Sequence, residues 1–388
     1  MKHVNTIFNQ LLDLLPKNRF ETFVGQHNAD RYVKKMSCWN QFSIMLYAQA
    51  KGKESLRDIE TSLNVQEQKL YHLGIQSKAR STIAEANRDR PYKIYESLFY
   101  ELLKVSKRLT PNKKFNFDNP LKAMDSTTIT LCLKLFPWAK FSKTKGAIKL
   151  HCLFDIRDQI PEFIVHSEGR GNDLAVAKNS DIVFSPDSIN VFDRAYIDFE
   201  WLYKKIHKKK AYFVHRLKRN LSYHVLEDYA INEKGVISDQ KIVLMGSTAL
   251  EDYPEDVRLV TYYDKETEKT YQFFTNNFEL SAGTIADIYK ARWQIELFFK
   301  WIKQHLKVKT FFGTSKNAVL TQIWIAMVYY LLLAYIKGKT KFTGSLLSLT
   351  RILNEVLMDR TSIIDVLGLK HNQLYRLRIR DDTQLTLC

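Results

Sequence analysis

Four polar residues between positions 289 and 303 have the types and the spacing that phosphate chemistry requires. Arg292, Glu296 and Lys303 follow Tyr289 by three, seven and fourteen residues. At 3.6 residues per turn, these four positions fall within an arc of roughly 60° on one face of an α-helix. The stretch contains no Gly or Pro and is rich in helix formers. The sequence therefore predicts one continuous helix from Tyr289 to Lys303.

The remaining faces of this helix carry apolar residues, so its polar stripe stands out. Lys300 and Lys307 extend the stripe toward the C-terminus. A single carboxylate, Glu296, between cations suits a metal ion with a polyanion bound above it. An amphipathic helix with ion pairs on a solvated face has the same spacing. The spacing alone leaves both interpretations open.

Two aspartates complete a possible metal-binding set with Glu296. Asp125 lies in AMDSTT, within the first predicted strand, and Asp193 ends the short buried strand in VFDRAY. Carboxylates from neighbouring strands, faced by one from a helix, can hold two Mg²⁺ ions. Such a pair activates a water or a 3′-hydroxyl in phosphodiester cleavage. The alternatives are a cap or turn role for Asp125 and a salt bridge to Arg194 for Asp193.

The overall charge points to a polyanionic partner. The chain has 388 residues, a net charge of +17 and a pI of about 9.4. Hydrophobic residues make up 45% and aromatic residues 13%, which excludes a disordered basic tail. Nucleic acid is the leading candidate partner and an anionic membrane the second. A solvated basic surface without a partner is the alternative.

Two clusters of basic residues could bind phosphates without reading sequence. Residues 204–219 hold eight Lys or Arg and no acid, with Arg216 and Lys218 among them. The second cluster follows the first predicted strand and contains Lys143, Lys145 and Lys149. Solvated strand ends and charges at helix C-termini would give the same pattern.

The sequence pattern of the N-terminal quarter of the chain predicts helices and no strands. Residues 1–90 show apolar positions at helical spacing, interrupted by turns. Arg80 and Arg88 lie in the last of these helices, an arrangement that resembles a helix-turn-helix DNA-binding domain. An ordinary helical bundle with a basic outer face fits the pattern equally well.

The rest of the chain predicts an α/β fold. Residues 115–216 and 276–340 alternate strands and helices in the manner of a mixed sheet flanked by helices. Residues 217–275 read as a β-rich insertion, and 341–388 as a helical C-terminal region. The apolar run from Ala318 to Ile336 is near membrane-spanning length, but polar interruptions favour a buried core helix. Four cysteines without CxxC spacing, and no signal peptide, predict free thiols in the cytoplasm.

Several motifs together resemble one enzyme family. Tyr289, Arg292, Glu296 and Lys303 match in full the signature Y-x2-R-x3-E-x6-K of DDE transposases from bacterial insertion sequences. The segments DSTTITL around Asp125, KTKGAIKLH at 143–151 and DRAY from Asp193 are also similar to patterns of that family. The similarity extends over most of the chain.

The resemblance implies a fold and an activity. It implies a ribonuclease H-like core in which Asp125, Asp193 and Glu296 are catalytic and bind Mg²⁺, for which Mn²⁺ can substitute. It implies cut-and-paste cleavage and strand transfer at transposon ends by a homodimer in a synaptic complex. The expected location is the cytoplasm, in association with the nucleoid. The expected DNA-contacting residues, from the resemblance and the basic clusters together, are Tyr289, Arg292, Lys300, Lys303, Lys307, Arg194, Lys143, Lys145, Lys149, Arg216, Lys218, Arg80 and Arg88.

Two other functions remain open from the sequence. A metal-dependent nuclease of similar core would share the carboxylates but would not perform strand transfer. A catalytically inactive DNA-binding regulator derived from a transposase is disfavoured because all three acidic residues are present.

Overall fold

A computed structural model describes residues 5–34, 36–71, 73, 75–107, 115–169, 172–217, 221–305 and 311–368. These residues form two compact units. A helical unit contains the described residues within 1–110, 131–139 and 300–388, and a sheet unit contains those within 111–130 and 140–299. Lys218 and Lys307, both predicted DNA contacts, lie outside the described residues.

The N-terminal part of the chain is helical, as predicted. Serine hydroxyls cap the starts of the third and fourth helices, where Ser37 accepts from the N–H of Asn40 and Ser55 from that of Asp58. The helices are α1 (Ile7–Asp13), α2 (Lys17–Gln26), α3 (Cys38–Ala50), α4 (Leu56–Val65), α5 (Glu67–Tyr71), α6 (Arg80–Asp89) and α7 (Lys93–Ser106).

The sheet unit is built on one mixed sheet, which among the described residues has nine strands in the order β3-β2-β1-β4-β5-β9-β8-β7-β6. The first five have the order of a ribonuclease H-like core, with β1, β4 and β5 parallel and β2 antiparallel to β3. The strands are β1 (Leu121–Leu131), β2 (Gly146–Asp155), β3 (Ile160–Glu168), β4 (Ile189–Phe192), β5 (Tyr212–Arg216), β6 (Tyr223–Asp228), β7 (Val236–Leu244), β8 (Val257–Asp264) and β9 (Lys269–Thr275).

The β-rich insertion extends this sheet. Strands β6 to β9 form an antiparallel meander, and β9 pairs with β5 through Val214 opposite Thr275. The four residues of β4 are all buried, as expected of an apolar strand between two parallel neighbours. The helices of this part of the chain are α8 (Asp173–Asn179), α9 (Phe199–Trp201, continued by a π-helical turn over Leu202–Ile206), α10 (Ser247–Asp252), α11 (Ala282–Ala291) and α12 (Trp293–His305).

Aromatic side chains cover both faces of the sheet. On one face, Phe192, Trp201 and Phe213 belong to a buried cluster that includes residues of α8 and α9. On the other face, Phe298 of α12 packs on Phe154 of β2, with ring centroids 5.1 Å apart. This contact holds the beginning of α12 against the sheet.

The predicted continuous helix from Tyr289 to Lys303 is wrong, because the chain forms two helices that meet at Arg292. At this joint the N–H of Arg292 bonds to the carbonyl of Tyr289, and that of Ile295 to the carbonyl of Arg292, both at 3.1 Å. These bonds span three residues rather than four, which is the tighter 3₁₀ spacing. The interruption thus places Arg292 between two helices.

The long apolar segment is a buried helix. The last helices are α13 (Lys316–Thr340), α14 (Leu346–Val356) and α15 (Ile363–Val366). Helix α13 has the length and hydropathy of a membrane span, but 94% of its apolar window is buried. It packs against α3, α6, α7 and α14 in the helical unit. The ring centroids of Trp324 and of Phe99 in α7 are 5.3 Å apart. This is the core helix that the sequence predicted.

Candidate active site

Strand pairing brings the two predicted catalytic aspartates to the same level of the sheet. In the parallel pair β1–β4, Leu121 lies opposite Ile189 and Met124 lies opposite Phe192. Asp125 is the next residue of β1, and Asp193 directly follows the end of β4. Because side chains at equal levels of adjacent parallel strands share a face, the two carboxylates are neighbours.

The α11–α12 joint brings Glu296 to Asp125 through Arg292. Nη1 of Arg292 donates to Oδ2 of Asp125 at 2.9 Å, and Nη2 donates to Oε1 of Glu296 at 2.6 Å. The Arg292 side chain is 14% exposed, against 21% for Asp125 and 32% for Glu296. One guanidinium therefore bridges two of the three predicted catalytic acids.

The electrostatics of Asp125 show that the three carboxylates influence one another. Burial raises the pKa of Asp125 to about 6, and the charges of Asp193 and Glu296 act in the same direction. The backbone N–H of Ser126 and the Arg292 guanidinium oppose this rise in pKa. Burial opposes the charged form of Arg292, but Tyr289, Asp125 and Glu296 outweigh burial and raise its pKa. The arrangement is a negatively charged cluster with one internal counterion.

Asp193 is the member of the cluster that Arg292 does not bind. Its Oδ1 accepts the backbone N–H of Arg194 at 2.6 Å, and it makes no ion pair among the described residues. The predicted alternative, a side-chain salt bridge to Arg194, is not formed, and Arg194 is exposed. The Asp193 carboxylate is thus available to a ligand.

The donor set suits a hard divalent cation in its chemistry. Carboxylate oxygens are the ligands that Mg²⁺ prefers. Within the part of the chain that the structure describes, no three His, Cys, Asp or Glu side chains are gathered closely enough to hold a metal ion. In the structure, Arg292 contacts one oxygen each of Asp125 and Glu296. The three acids fit a hard cation by the type of their donor atoms.

Tyr289 and Arg216 lie beside the carboxylates. The Tyr289 ring packs on Phe273 at 4.9 Å, and burial raises the pKa of its hydroxyl. The charges of Arg292, Asp193 and Arg216 all act on that hydroxyl. The Arg216 guanidinium lies over the ring of Tyr271, 4.7 Å from its centroid. A positively charged and aromatic wall thus borders the acidic cluster.

The other predicted DNA contacts have varied surroundings. Lys143 and Lys145 are exposed in the turn before β2, and Lys300 and Lys303 are exposed on α12 in the helical unit. Arg80 begins α6, whereas Arg88 near its end pairs with Asp89 at 2.7 Å. Lys149 differs from the rest because its Nζ is 2.7 Å from Oδ1 of Asp173 and its side chain is only 17% exposed. Its main contact in the structure is therefore within the protein.

A polar group around His151 lies on the opposite face of the sheet, and its contacts were not predicted from the sequence. Nε2 of His151 is 2.8 Å from the Ser167 hydroxyl, and its Nδ1 is 3.4 Å from Asp173. Burial lowers the pKa of His151 to about 4. Asp173 also acts on the buried hydroxyl of Tyr196, which the charges of Asp125 and Asp193 reach as well. The alternation of Lys149 and His151 on one strand face was the available signal.

Two family profiles match this chain. A family profile described as "Transposase DDE domain" matches residues 116–332, which is more than half of the chain. A second profile, "Domain of unknown function (DUF4372)", matches residues 3–76. The DDE match spans both aspartates, Arg292 and Glu296.

Named relatives cover most of the chain. A probable transposase for insertion sequence element IS5377 of Geobacillus stearothermophilus is 31% identical over 67% of this chain and 68% of that protein. The putative transposase y4zB of Sinorhizobium fredii is 30% identical over 74% of this chain and 80% of that protein. A solved structure of the piggyBac transposase synaptic complex with hairpin DNA aligns with 96% of this chain and 82% of its own chain, at 10% identity and a TM-score of 0.48. From the profile match and the two relatives, the chain belongs to the DDE transposase family of bacterial insertion sequences.

Proposed function

We propose that this protein cleaves the ends of an insertion sequence and joins them to target DNA, with Asp125, Asp193 and Glu296 as its catalytic acids. The observation that carries the proposal is the meeting of two aspartates from parallel strands with a glutamate that Arg292 connects to one of them. Two Mg²⁺ ions, or Mn²⁺ in their place, would activate the attacking hydroxyl and stabilise the leaving oxygen.

The chain's own residues supply the binding and the positioning. Arg292 presents a planar fork suited to two phosphate oxygens, and the Tyr289 hydroxyl next to it can donate to a third. Arg216 and Arg194 add positive charge near the same cluster. The lysines of the β2 turn and of α12 provide further phosphate contacts, with Lys143, Lys145, Lys300 and Lys303 as the exposed members.

DNA is the partner that the charge and the family favour. We infer that residues 1–90 recognise the transposon end, that the catalytic core comprises 115–216 and 276–340 with 217–275 as its insertion, and that 341–388 is a further helical region. We also infer that the protein acts in the cytoplasm at the nucleoid as a homodimer that holds two ends. A net charge of +17 supports binding to DNA throughout this scheme.

The test is cleavage and joining of a duplex that carries the inverted repeats flanking the gene. Asp125→Asn, Asp193→Asn and Glu296→Gln should each bring cleavage below detection and leave DNA binding nearly intact, because each removes an acid and no phosphate contact. Cleavage without joined products in the wild-type protein would favour a metal-dependent nuclease. Full cleavage by any of the three variants would contradict the assignment of that residue.

A further inference from the structure

Arg292 is held inside the acidic cluster rather than at its rim. Its two terminal nitrogens each donate to a different carboxylate, and its side chain is 14% exposed. Its Nε is buried and has no hydrogen-bond partner among the residues that the structure describes. Both ends of the fork are therefore committed to Asp125 and Glu296, and Nε has a donor still to satisfy.

The same carboxylate oxygens have two competing partners. Without a cation, three partly buried carboxylates in one cluster would repel one another, and the guanidinium offsets part of this repulsion. A divalent cation bound by Asp125 and Glu296 would compete with Arg292 for these carboxylates, because Oδ2 of Asp125 and Oε1 of Glu296 accept from Arg292 and Oδ1 of Asp125 accepts the Ser126 N–H. Removing Arg292 without another cation would leave buried charge uncompensated. Cation binding and the present position of Arg292 thus exclude each other in part.

A DNA phosphate can compete with the two carboxylates for the Arg292 guanidinium. Its fork matches two oxygens of a phosphate as well as it matches carboxylates. A DNA phosphate that binds Arg292 draws it from Asp125 and Glu296 and so exposes their oxygens. The joint between α11 and α12 places Arg292 at a backbone interruption, where a side chain can be redirected without unwinding a full helical turn.

We propose that Arg292 is a built-in counterion that closes the metal site until a DNA phosphate takes its place as partner, so that DNA and divalent cation bind cooperatively. The proposal rests on the function proposed above and adds its regulation. By linkage, DNA increases cation affinity by the same factor by which the cation increases DNA affinity. The factor expected for such a coupling is on the order of tenfold.

The first arm of the test measures Mn²⁺ binding to the full-length protein by electron paramagnetic resonance, without DNA. Arg292→Gln should bind Mn²⁺ about tenfold more tightly than wild type, because the competing charge is gone. Arg292→Lys keeps a positive charge, so its affinity for Mn²⁺ should stay closer to that of the wild type. Lys290→Gln is the matched control, since it removes one charge and one ion pair, to Asp264 at 3.2 Å, two residues before Arg292 in α11. Unchanged or weaker binding by Arg292→Gln overturns the proposal.

The second arm adds a short duplex with a 5′-phosphate end, with the duplex alone as the blank. The duplex should tighten Mn²⁺ binding to wild type and should have little effect on Arg292→Gln. Equal tightening in both, or none in wild type, overturns the proposal. If Arg292→Gln does not fold, as thermal unfolding would show, the wild-type response to the duplex and the comparison with Arg292→Lys still decide the question.

The design separates this proposal from the function on which it rests. Adding Asp193→Asn or Glu296→Gln to Arg292→Gln should weaken Mn²⁺ binding if these acids hold the cation. If they do not, the catalytic assignment itself fails. If they do but Arg292→Gln binds no better than wild type, only the counterion role fails.

Discussion

At the scale of single residues, Asp125 is ionised against the preference of its surroundings. Burial raises its pKa from 3.8 to about 6, although Arg292 donates to it directly. The ionised carboxylate therefore costs folding free energy at neutral pH when no cation is bound. Such a cost is characteristic of residues kept for chemistry rather than for stability.

This cost gives a pH-dependent prediction for Asp125→Asn. Because the folded-state pKa of Asp125 is raised, the contribution of this residue to the stability of the wild type falls as the pH rises from about 4 to about 6 and stays at the lower value above that. The variant lacks this loss and should be more stable than wild type by about 1–3 kcal/mol at pH 7. The measurement is urea unfolding in a chelator across this pH range. A variant less stable than wild type at pH 7 would mean that the Arg292 contact outweighs burial.

The sequence predicted the residues of the candidate site but not their mutual contacts. The spacing of Arg292 and Glu296 placed both on one helical face, and their 2.6 Å contact agrees with that. The contact between Arg292 and Asp125 joins residues 167 positions apart and depends on the helix joint. No Gly or Pro marks the joint, so the helical pattern concealed it. The sequence likewise predicts that Lys149 is an exposed cation, whereas in the structure it pairs with Asp173.

At the scale of elements, an ion pair connects helix α8 to strand β2. Asp173 is the first residue of α8, where a negative charge also complements the helix dipole. Lys149 of β2 contacts it at 2.7 Å, with side chains 17% and 21% exposed. The pair is sufficiently buried that loss of one partner leaves the other poorly solvated.

We therefore expect Asp173→Asn to destabilise the protein by about 1–3 kcal/mol in chemical unfolding. The matched control is Asp181→Asn, which changes an exposed carboxylate just beyond the same helix. The free energy of unfolding of this variant should stay within about 0.5 kcal/mol of the wild-type value. Equal effects of the two substitutions would show that the ion pair contributes nothing beyond net charge.

At the scale of the whole molecule, the fold class followed from the sequence. The strand and helix periods predicted a mixed sheet with a helical N-terminus, which the structure confirms. The helical unit combines segments that are distant in the sequence, because α13 near the C-terminus packs on α7 and α3 near the N-terminus. Pairings between remote helices leave no local pattern. Deleting the N-terminal helices would expose the apolar surface of α13, so DNA recognition is better tested by point substitution.

We expect the basic residues to differ in whether they bind all DNA or favour the ends of the element. Lys143→Ala and Lys145→Ala should each weaken binding to all duplexes alike and lower the slope of log affinity against log salt by about one. Arg80→Ala should instead weaken binding to the element's own ends more than to unrelated DNA, if α6 reads the ends. Arg88→Ala should have a smaller effect than Arg80→Ala, because Asp89 at 2.7 Å already balances the Arg88 charge.

Fluorescence anisotropy with end-bearing and unrelated duplexes, at several salt concentrations, measures all four variants. Lys104→Ala is the control, since this lysine is exposed but paired with Glu101 at 3.0 Å, and its loss should leave the salt slope nearly unchanged. A counterion contributes to the slope only where a protein cation replaces it on a phosphate. Equal slopes for Lys143→Ala, Lys145→Ala and Lys104→Ala would therefore mean that the β2 turn is a solvated surface. Equal losses on both duplexes for Arg80→Ala would remove α6 from end recognition and leave it a general phosphate contact.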